Sequence, residues 1–293
     1  MIKSRITLKQ LEAFVCVVDA GTFRKAASIL GTTQPNISTR IAALESVLGT
    51  VLMHRDAGSV RVTEKGTALL AAARKVLLAG ETFLEVADRQ DLIEDRLRLG
   101  VTELIACTWL HDFLRAFKGL YPGVRVELDV NLSAEIEKDL IAGQLDLALQ
   151  TGPFSRQMDG SLPLGTYPYC WVVAPSLTPP ATFAALFDGP VISHGRHTRA
   201  SLGLADAARA RGLAVNQIVH SSSLTSCVAM AVDAMGPALL PRQMVMDDIA
   251  QARLTEFTCE WLPDTLDVFA RFDPKRTPHF VRAAAELAVD TAR

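Results

Sequence analysis

Leu8, Leu11, Val15 and Val18 recur at the spacing of one helix face, with Phe14 beside them. Ahead of them, Thr7-Leu8-Lys9-Gln10 has the spacing of a capping box, in which a Thr hydroxyl and a Gln three residues on satisfy each other's free backbone donors. A helix is expected to begin there, and Gly21 stands where a left-handed cap would end it. Thr22 then opens a short second helix whose Ala26, Ala27, Ile29 and Leu30 are small or apolar, and Gly31 closes it. Small alanines let another helix approach closely. Thr33 can cap a third helix, with Pro35 tolerated in the first turn because its missing N–H would lack a partner there anyway. Ile37, Ile41, Leu44 and Leu48 form the apolar stripe of that helix.

The opposite face displays Gln34, Asn36, Ser38, Thr39 and Arg40. Gln and Asn can pair bidentately with adenine, Arg with guanine or phosphate, and short hydroxyls with base edges or backbone. On an isolated helix such a face is most simply a solvated one. Here two short helices joined by a Gly-containing turn make a helix-turn-helix. The second helix has no Asp or Glu before Glu45, so its first half can enter a major groove without repelling phosphates. Arg24, Lys25 and Pro35 complete the set expected to face DNA. Two extended stretches, 51–55 and 60–62, flank Asp56-Ala57-Gly58-Ser59, the pattern of a hairpin wing that offers Arg55 and Arg61 to phosphates.

From Glu64 to Arg96 no Pro intervenes, and Leu69, Val76, Leu77 and Leu84 fall at near-heptad spacing. A helix over residues 66–92, about 27 residues and ~40 Å long, is too long for a small domain and suggests a dimerisation seam. A helix docked on its own domain is the alternative. Beyond it, strand-like apolar runs alternate with helical patterns. The strands are expected at 97–101, 124–130 and 146–149, then at 169–174, 191–193, 218–220, 238–241 and 266–272, with a last helix from Pro278. This alternation implies parallel sheets covered by helices. Crossovers near 160–168 and 260–267 would give two hinged lobes. Lobe I is expected at about 93–163 and 266–293, and lobe II at about 164–265.

The chain of 293 residues suits more than one domain. Its formal charge of −2 hides an asymmetry: residues 1–65 hold nine Lys and Arg against five Asp and Glu, a net of +4, which leaves −6 for the remainder. A basic head on an acidic body suggests that the head alone meets a polyanion. Apolar runs fall well short of the ~18 residues a membrane span needs, and the first residues lack a secretory pattern, so cytoplasm and no membrane are expected. Five widely spaced cysteines exclude a CxxC knuckle and suggest buried thiols, so neither metal nor cofactor is expected.

At this point the chain resembles the LysR-type transcriptional regulators. The matching pattern comprises Leu11, Phe14, Gly21-Thr22-Phe23, Ala26-Ala27, Leu30, Thr33-Gln34-Pro35-Asn36-Ile37-Ser38, Ile41, Leu44-Glu45, Leu48-Gly49, Leu52, Arg55 and Val62-Thr63-Glu64-Lys65-Gly66. Thr33, Thr22 and Met53 depart from the usual Ser, Ser and Phe. Residues 141–149 and 235–241 resemble the family's effector domain. The resemblance implies a multidomain α/β protein: a winged helix-turn-helix over 1–65, a long linker helix over 66–92, and a two-lobed, periplasmic-binding-protein-like effector domain over 93–293. It further implies a non-enzymatic regulator that acts as a homodimer or homotetramer on double-stranded DNA, with a small-molecule effector and RNA polymerase as partners.

In open α/β sheets ligands bind beyond the carboxyl ends of strands, where helix N-termini aim free N–H groups. Thr102, Ser133 and Thr151 stand there in the first lobe, and His194, Arg196, His197, Ser221 and Ser222 in the second. The resemblance places most of these positions in the effector cleft. Each hydroxyl could equally be a helix cap, and the basic loop could equally be solvated. If the basic residues face the cleft, the effector is an anion such as a small carboxylate. No GxGxxG, GK[ST] phosphate loop, HExxH, GxSxG or SxxK is found in the chain, which disfavours the common enzyme classes. The alternative function is a soluble small-molecule-binding or catalytic α/β protein whose N-terminal helices mediate protein contacts.

Overall fold

A computed structural model describes residues 6–56 and 59–292, and the chain forms two compact units, one ending at Ile93 and one beginning at Glu94. The first unit holds α1 (Leu8–Ala20), α2 (Phe23–Ile29), α3 (Gln34–Leu48), β1 (Met53–Asp56), β2 (Ser59–Val62) and α4 (Glu64–Val86). The caps expected from sequence are present. Thr7 and Gln10 form the reciprocal capping box, and Thr22 and Thr33 accept from the amides of Lys25 and Asn36. Phe14, Val17, Ala26, Ile37, Ile41, Leu44 and Leu52 make the core, each large side chain contributing about 1.5–3 kcal/mol by leaving water. β1 and β2 pair antiparallel with Arg55 opposite Val60 and Asp56 opposite Ser59; the turn residues Ala57 and Gly58 lie outside the described residues.

Gly66 shows why the wing must be followed by glycine. A Cβ there would sit 2.1 Å from the Leu52 carbonyl oxygen, so a side chain would push the start of α4 off the wing. Thr63 fastens the same junction, donating its hydroxyl to Val51 and Leu52 carbonyls while accepting from the Gly66 amide.

The linker helix departs from expectation in two ways. It ends at Val86, with Asp88 in a left-handed conformation just beyond, so α4 has 23 residues rather than about 27. Leu69, Leu70 and Ala73 also pack into the core of the head, and Arg74 bonds Asp19 of α1. The N-terminal half of the helix is therefore docked on its own domain, and Leu69 is an internal contact rather than part of a free seam. Val76, Phe83 and Val86 are exposed, Phe83 at 72%, while Leu77 and Leu84 are half-buried.

The second unit contains two five-stranded sheets. Lobe I uses β3 (Arg96–Val101), β4 (Arg125–Val130), β5 (Leu147–Thr151), β6 (Gly160–Tyr167) and, much later, β12 (Leu266–Phe272). Their order across the sheet is β4-β3-β5-β12-β6. It is covered by α5 (Glu103–Cys107), α6 (Leu110–Leu120), α7 (Ser133–Ala142) and α11 (His279–Thr291). Lobe II orders its strands β11-β7-β10-β8-β9, from β7 (Tyr169–Val173), β8 (Val191–His194), β9 (Ile218–Ser221), β10 (Ala238–Pro241) and β11 (Thr255–Phe257). It carries α8 (Arg199–Arg209), α9 (Leu224–Val232) and α10 (Met246–Ala250).

Both sheets are mixed rather than parallel. β3 pairs parallel with β4 and β5, but β12 runs antiparallel to β5 and β6, and β7 runs antiparallel to β10 and β11. The reversal follows from the crossovers, which return the chain into a neighbouring sheet from the opposite end. One expected crossover, 160–168, is mostly β6 itself, so lobe I extends to Tyr167 rather than to about 163. Lobe I is locked by a buried charge cage. Arg271 of β12, 1% exposed, donates to Glu137 of α7 at 3.0 Å and to the Arg156 carbonyl, and lies over the Phe154 ring. Glu137 also accepts from the amides of Ser155 and Arg156.

Candidate DNA-binding and effector sites

In the head, the third helix presents Gln34, Pro35, Asn36 and Thr39 to solvent, while Ser38 and Arg40 are half-buried at its flank. Its apolar stripe is turned inward, which leaves no other face for these polar residues. Asn36 donates to the Thr32 hydroxyl at 3.2 Å and Thr39 to the Pro35 carbonyl at 3.0 Å, so both side chains are held at the start of the helix. Arg24 and Lys25 are exposed at the start of α2, and Arg61 is exposed on β2. Arg55 belongs to β1, with its side chain outside the described residues.

In the second unit the expected residues do lie at strand ends and helix starts, but the bonding is not the one anticipated. Thr102 follows β3 and its backbone N–H donates to Leu149. Its hydroxyl makes no cap bond; it is buried, at 8% exposure, and has no hydrogen-bond partner. Ser133 and Thr151 satisfy each other instead, hydroxyl to hydroxyl at 2.7 Å, and the Thr151 amide also donates to Ser133. Gln150 is completely buried behind them, oriented so that its amide nitrogen donates to the Ser133 carbonyl and its oxygen accepts from Arg271.

Across the cleft, His194 closes β8. Its Nε2 lies 3.1 Å from the Ser222 carbonyl, to which it donates, and burial pushes its pKa below the usual imidazole value. Burial thus opposes the cationic form that a contact with a carboxylate would use, while the Ser222 bond and Glu103 favour it. Gly195 needs its left-handed φ of 49°, and a Cβ there would meet Thr198 at 2.7 Å and approach Leu132 of lobe I at 4.0 Å. Arg196 and His197 are exposed, and their charge helps lower the pKa of His220 after burial does the same. Ser222 is exposed, and the Ser221 hydroxyl accepts from the Ser223 amide.

Glu103, which the sequence pattern did not single out, bonds lobe I to lobe II. From the first turn of α5 its carboxylate accepts from four donors at the start of α9. These are the Ser223 hydroxyl at 3.0 Å, the Leu224 amide at 2.5 Å, the Thr225 amide at 3.1 Å and the Thr225 hydroxyl at 2.9 Å. Burial opposes its ionisation, but the Thr225 and Leu224 amides and the two hydroxyls outweigh that and hold its pKa below the usual value. Cys107 approaches the Thr225 hydroxyl at 3.7 Å. An acidic residue in a first helical turn is ordinarily explained by its own helix dipole, so no local signal marked Glu103 as a bond to another lobe.

The expectation of buried thiols holds for Cys170 and Cys227, whose pKa values burial pushes up to about 12 and about 11. Cys16 and Cys259 are half-buried, and Cys107, the last residue of α5, is exposed. Among the described residues no cluster of three or more His, Cys, Asp and Glu side chains could hold a metal, and no helix is long and apolar enough to cross a membrane. A depression of about 380 Å³ on lobe II, lined by Trp171, Glu256, Phe257 and Cys259, lies on the β7–β11 edge and contains none of the cleft residues.

The first unit thus presents a polar helix face followed by a wing, and the second is a two-lobed mixed-sheet unit with polar residues at its strand ends. Residues 8–67 match the family described as bacterial regulatory helix-turn-helix protein, lysR family, and residues 90–293 match the LysR substrate binding domain. The chain belongs to the LysR family of regulators. It is 34% identical over 159 residues to a probable hydrogen peroxide-inducible genes activator of Streptomyces viridosporus, covering 54% of this chain and 51% of that protein. It is 31% identical over 162 residues to a probable RuBisCO transcriptional regulator of Gracilaria tenuistipitata var. liui, covering 55% and 52%. The matches to these curated relatives thus span about half their length. Its fold is similar to a full-length OxyR variant from Pseudomonas aeruginosa, with TM-score 0.61, 22% identity and 99% and 98% of the two chains covered. It is also similar to full-length LysG from Corynebacterium glutamicum with bound effector Arg, with TM-score 0.59, 21% identity and 98% of each chain covered.

Proposed function

We propose that this chain is a ligand-responsive transcriptional regulator: the head binds double-stranded DNA through α3 and the wing, and the second unit binds a small molecule between its lobes. The observation that carries this is the pairing of an exposed, carboxylate-free recognition face on α3 with an unpartnered, buried Thr102 hydroxyl at the lobe margin. Thr102, Ser133 and Thr151 form the lobe I wall of the site, and His194, Ser221 and Ser222 the lobe II wall. Arg196 and His197 stand at its rim. Backbone contacts of Arg24, Lys25, Arg55 and Arg61 supply sequence-independent affinity, and Gln34, Asn36, Ser38, Thr39 and Arg40 read the bases.

The chain works as a homodimer or homotetramer, so that two heads reach two half-sites, and ligand binding alters its contacts with promoter DNA and with RNA polymerase. The exposed C-terminal half of α4, with Val76, Leu77 and Leu84 joined by Phe83 and Val86, is the face that meets a second copy. A mobility-shift titration on the DNA upstream of its own gene tests the whole proposal. Specific binding that weakens steeply with salt is expected, and charged substitutions at Leu77 and Leu84 should give monomers by light scattering and lose operator binding. Absence of any DNA binding at low salt would sink it.

A further inference from the structure

The four donors that hold Glu103 come from one lobe and the carboxylate from the other. Ser223, Leu224 and Thr225 begin α9, a helix of nine residues, and present two backbone N–H groups and two hydroxyls to the same pair of oxygens. Three of these donors converge on Oε1 and the fourth, the Leu224 amide, reaches Oε2, so both carboxylate oxygens are held by α9. This is how a helix start binds a free carboxylate.

Three features distinguish the contact from a permanent structural clasp. Glu103 is only half-buried and Thr225 is exposed, so solvent reaches the bond. The Ser223 hydroxyl already caps its own helix by accepting from the Ser226 amide, so α9 does not need the foreign carboxylate in order to start. Next to Glu103 in the chain, the buried Thr102 hydroxyl lacks any partner, a deficit that an incoming ligand oxygen would remove.

We propose that the start of α9 is a carboxylate-binding site whose resident ligand is Glu103 of the same chain, and that a ligand carboxylate enters the cleft by taking Glu103's place. The proposal rests on the cleft being the effector site and adds the ligand's chemical class and the step by which it binds. The donors that Glu103 fills cannot serve a second carboxylate at the same time. A tethered group competes at an effective concentration of the order of millimolar, so Glu103 sets the threshold a free ligand must exceed. It also bridges the lobes while the site is free of effector, and exchange for a ligand replaces a bond between lobes with one to a mobile molecule.

The test is chemical rescue in the full-length chain, with acetate as the probe. Glu103→Ala should speed hydrogen exchange at the Leu224 and Thr225 amides, and acetate in the millimolar range should restore their protection, whereas equal chloride or methylammonium should not. Acetate should act on the variant at concentrations at least about tenfold below those that perturb the unaltered protein, because the tethered competitor is gone. Glu103→Gln keeps one acceptor oxygen but replaces the other with an NH2 that faces an α9 donor, so it should lose protection at one of the two amides and also respond to acetate. Unchanged exchange at both amides in both variants, or rescue by chloride as effective as by acetate, overturns the proposal. Acetate rescue without any change in operator binding would uphold the carboxylate site and instead overturn the assignment of the cleft to effector sensing.

Discussion

The two units treat charge in opposite ways. The head carries its cations outward: Arg24, Lys25 and Arg61 stand in solvent beside a recognition face without carboxylates. The sensor unit draws carboxylates inward and surrounds them with donors. Glu137 accepts from two amides and a buried guanidinium, and Glu103 from two amides and two hydroxyls. One unit thus leaves these cations facing solvent, whereas the other holds carboxylates among donors of its own. The lesson is that a net charge of +4 over residues 1–65 and −6 over the rest is not a uniform field but a difference between solvent-facing cations and carboxylates held among donors.

The comparison can be broken most severely at Glu137. Replacing it with Ala strands Arg271 in the interior and should lower the stability of the sensor unit by about 3–5 kcal/mol in denaturant titration. Substituting Arg271 and Glu137 together by Met and Leu should cost far less, since no buried charge is left alone. If both changes destabilise equally, packing rather than charge holds the cage. The head is broken next at Gln34 and Arg40, where each change to Ala should weaken the specific operator complex by about 1–3 kcal/mol. Arg61→Ala should instead weaken all sequences alike and reduce the salt slope of binding by about one.

Thr102→Val sharpens the contrast because it should act in two directions. Removing a buried hydroxyl without a partner should stabilise the sensor by about 1 kcal/mol, yet abolish effector-dependent changes in the DNase footprint. A stabilised variant that still responds would show that the hydroxyl does not touch the ligand. The smallest effect concerns pH. Burial lowers the pKa of both His194 and His220 from 6.5, so the unfolded chain takes up protons before the folded one does. Their contribution to stability is complete above 6.5 and is lost as the pH falls below it. A modest drop in melting temperature on acidification is expected, and it should shrink in a His194→Asn variant.

The head was legible almost residue by residue because its signals are local. Thr7, Thr22 and Thr33 cap helices that start where hydroxyl spacing places them, and Gly21 and Gly49 end helices with positive φ. The strands at 191–194, 238–241 and 266–272 also appear within a residue of expectation. What failed was non-local. β6 mixes Gly160, Pro163 and Gly165 and becomes a strand only because β12 lies beside it. Helical spacing alone could not show whether Leu69 meets a second copy or its own core. At the cleft, Thr102, Ser133, His194 and Ser221 were located by their place after strands, but their bonding was not, since it depends on which hydroxyl finds a partner across the sheet. Glu103 was invisible for the same reason: its partners are more than a hundred residues away.

Lobe I is assembled from two stretches of chain with the whole of lobe II between them, and this fixes the order in which a ribosome can deliver a finished sensor. β12 is an interior strand, hydrogen-bonded on one side to β5 and on the other to β6. Until Phe272 has emerged, β5 and β6 each expose an unpaired edge, the feature that invites pairing with a foreign strand. Lobe II is continuous from Tyr169 to Phe257, so its sheet can close first. At about 5–20 residues per second the nascent chain spends several seconds with lobe I lacking β12 and α11. The lobe that carries Glu103 and Thr102 is therefore the last to form, and a chain interrupted just before residue 266 would release a folded head and a folded lobe II attached to an aggregation-prone half-sheet.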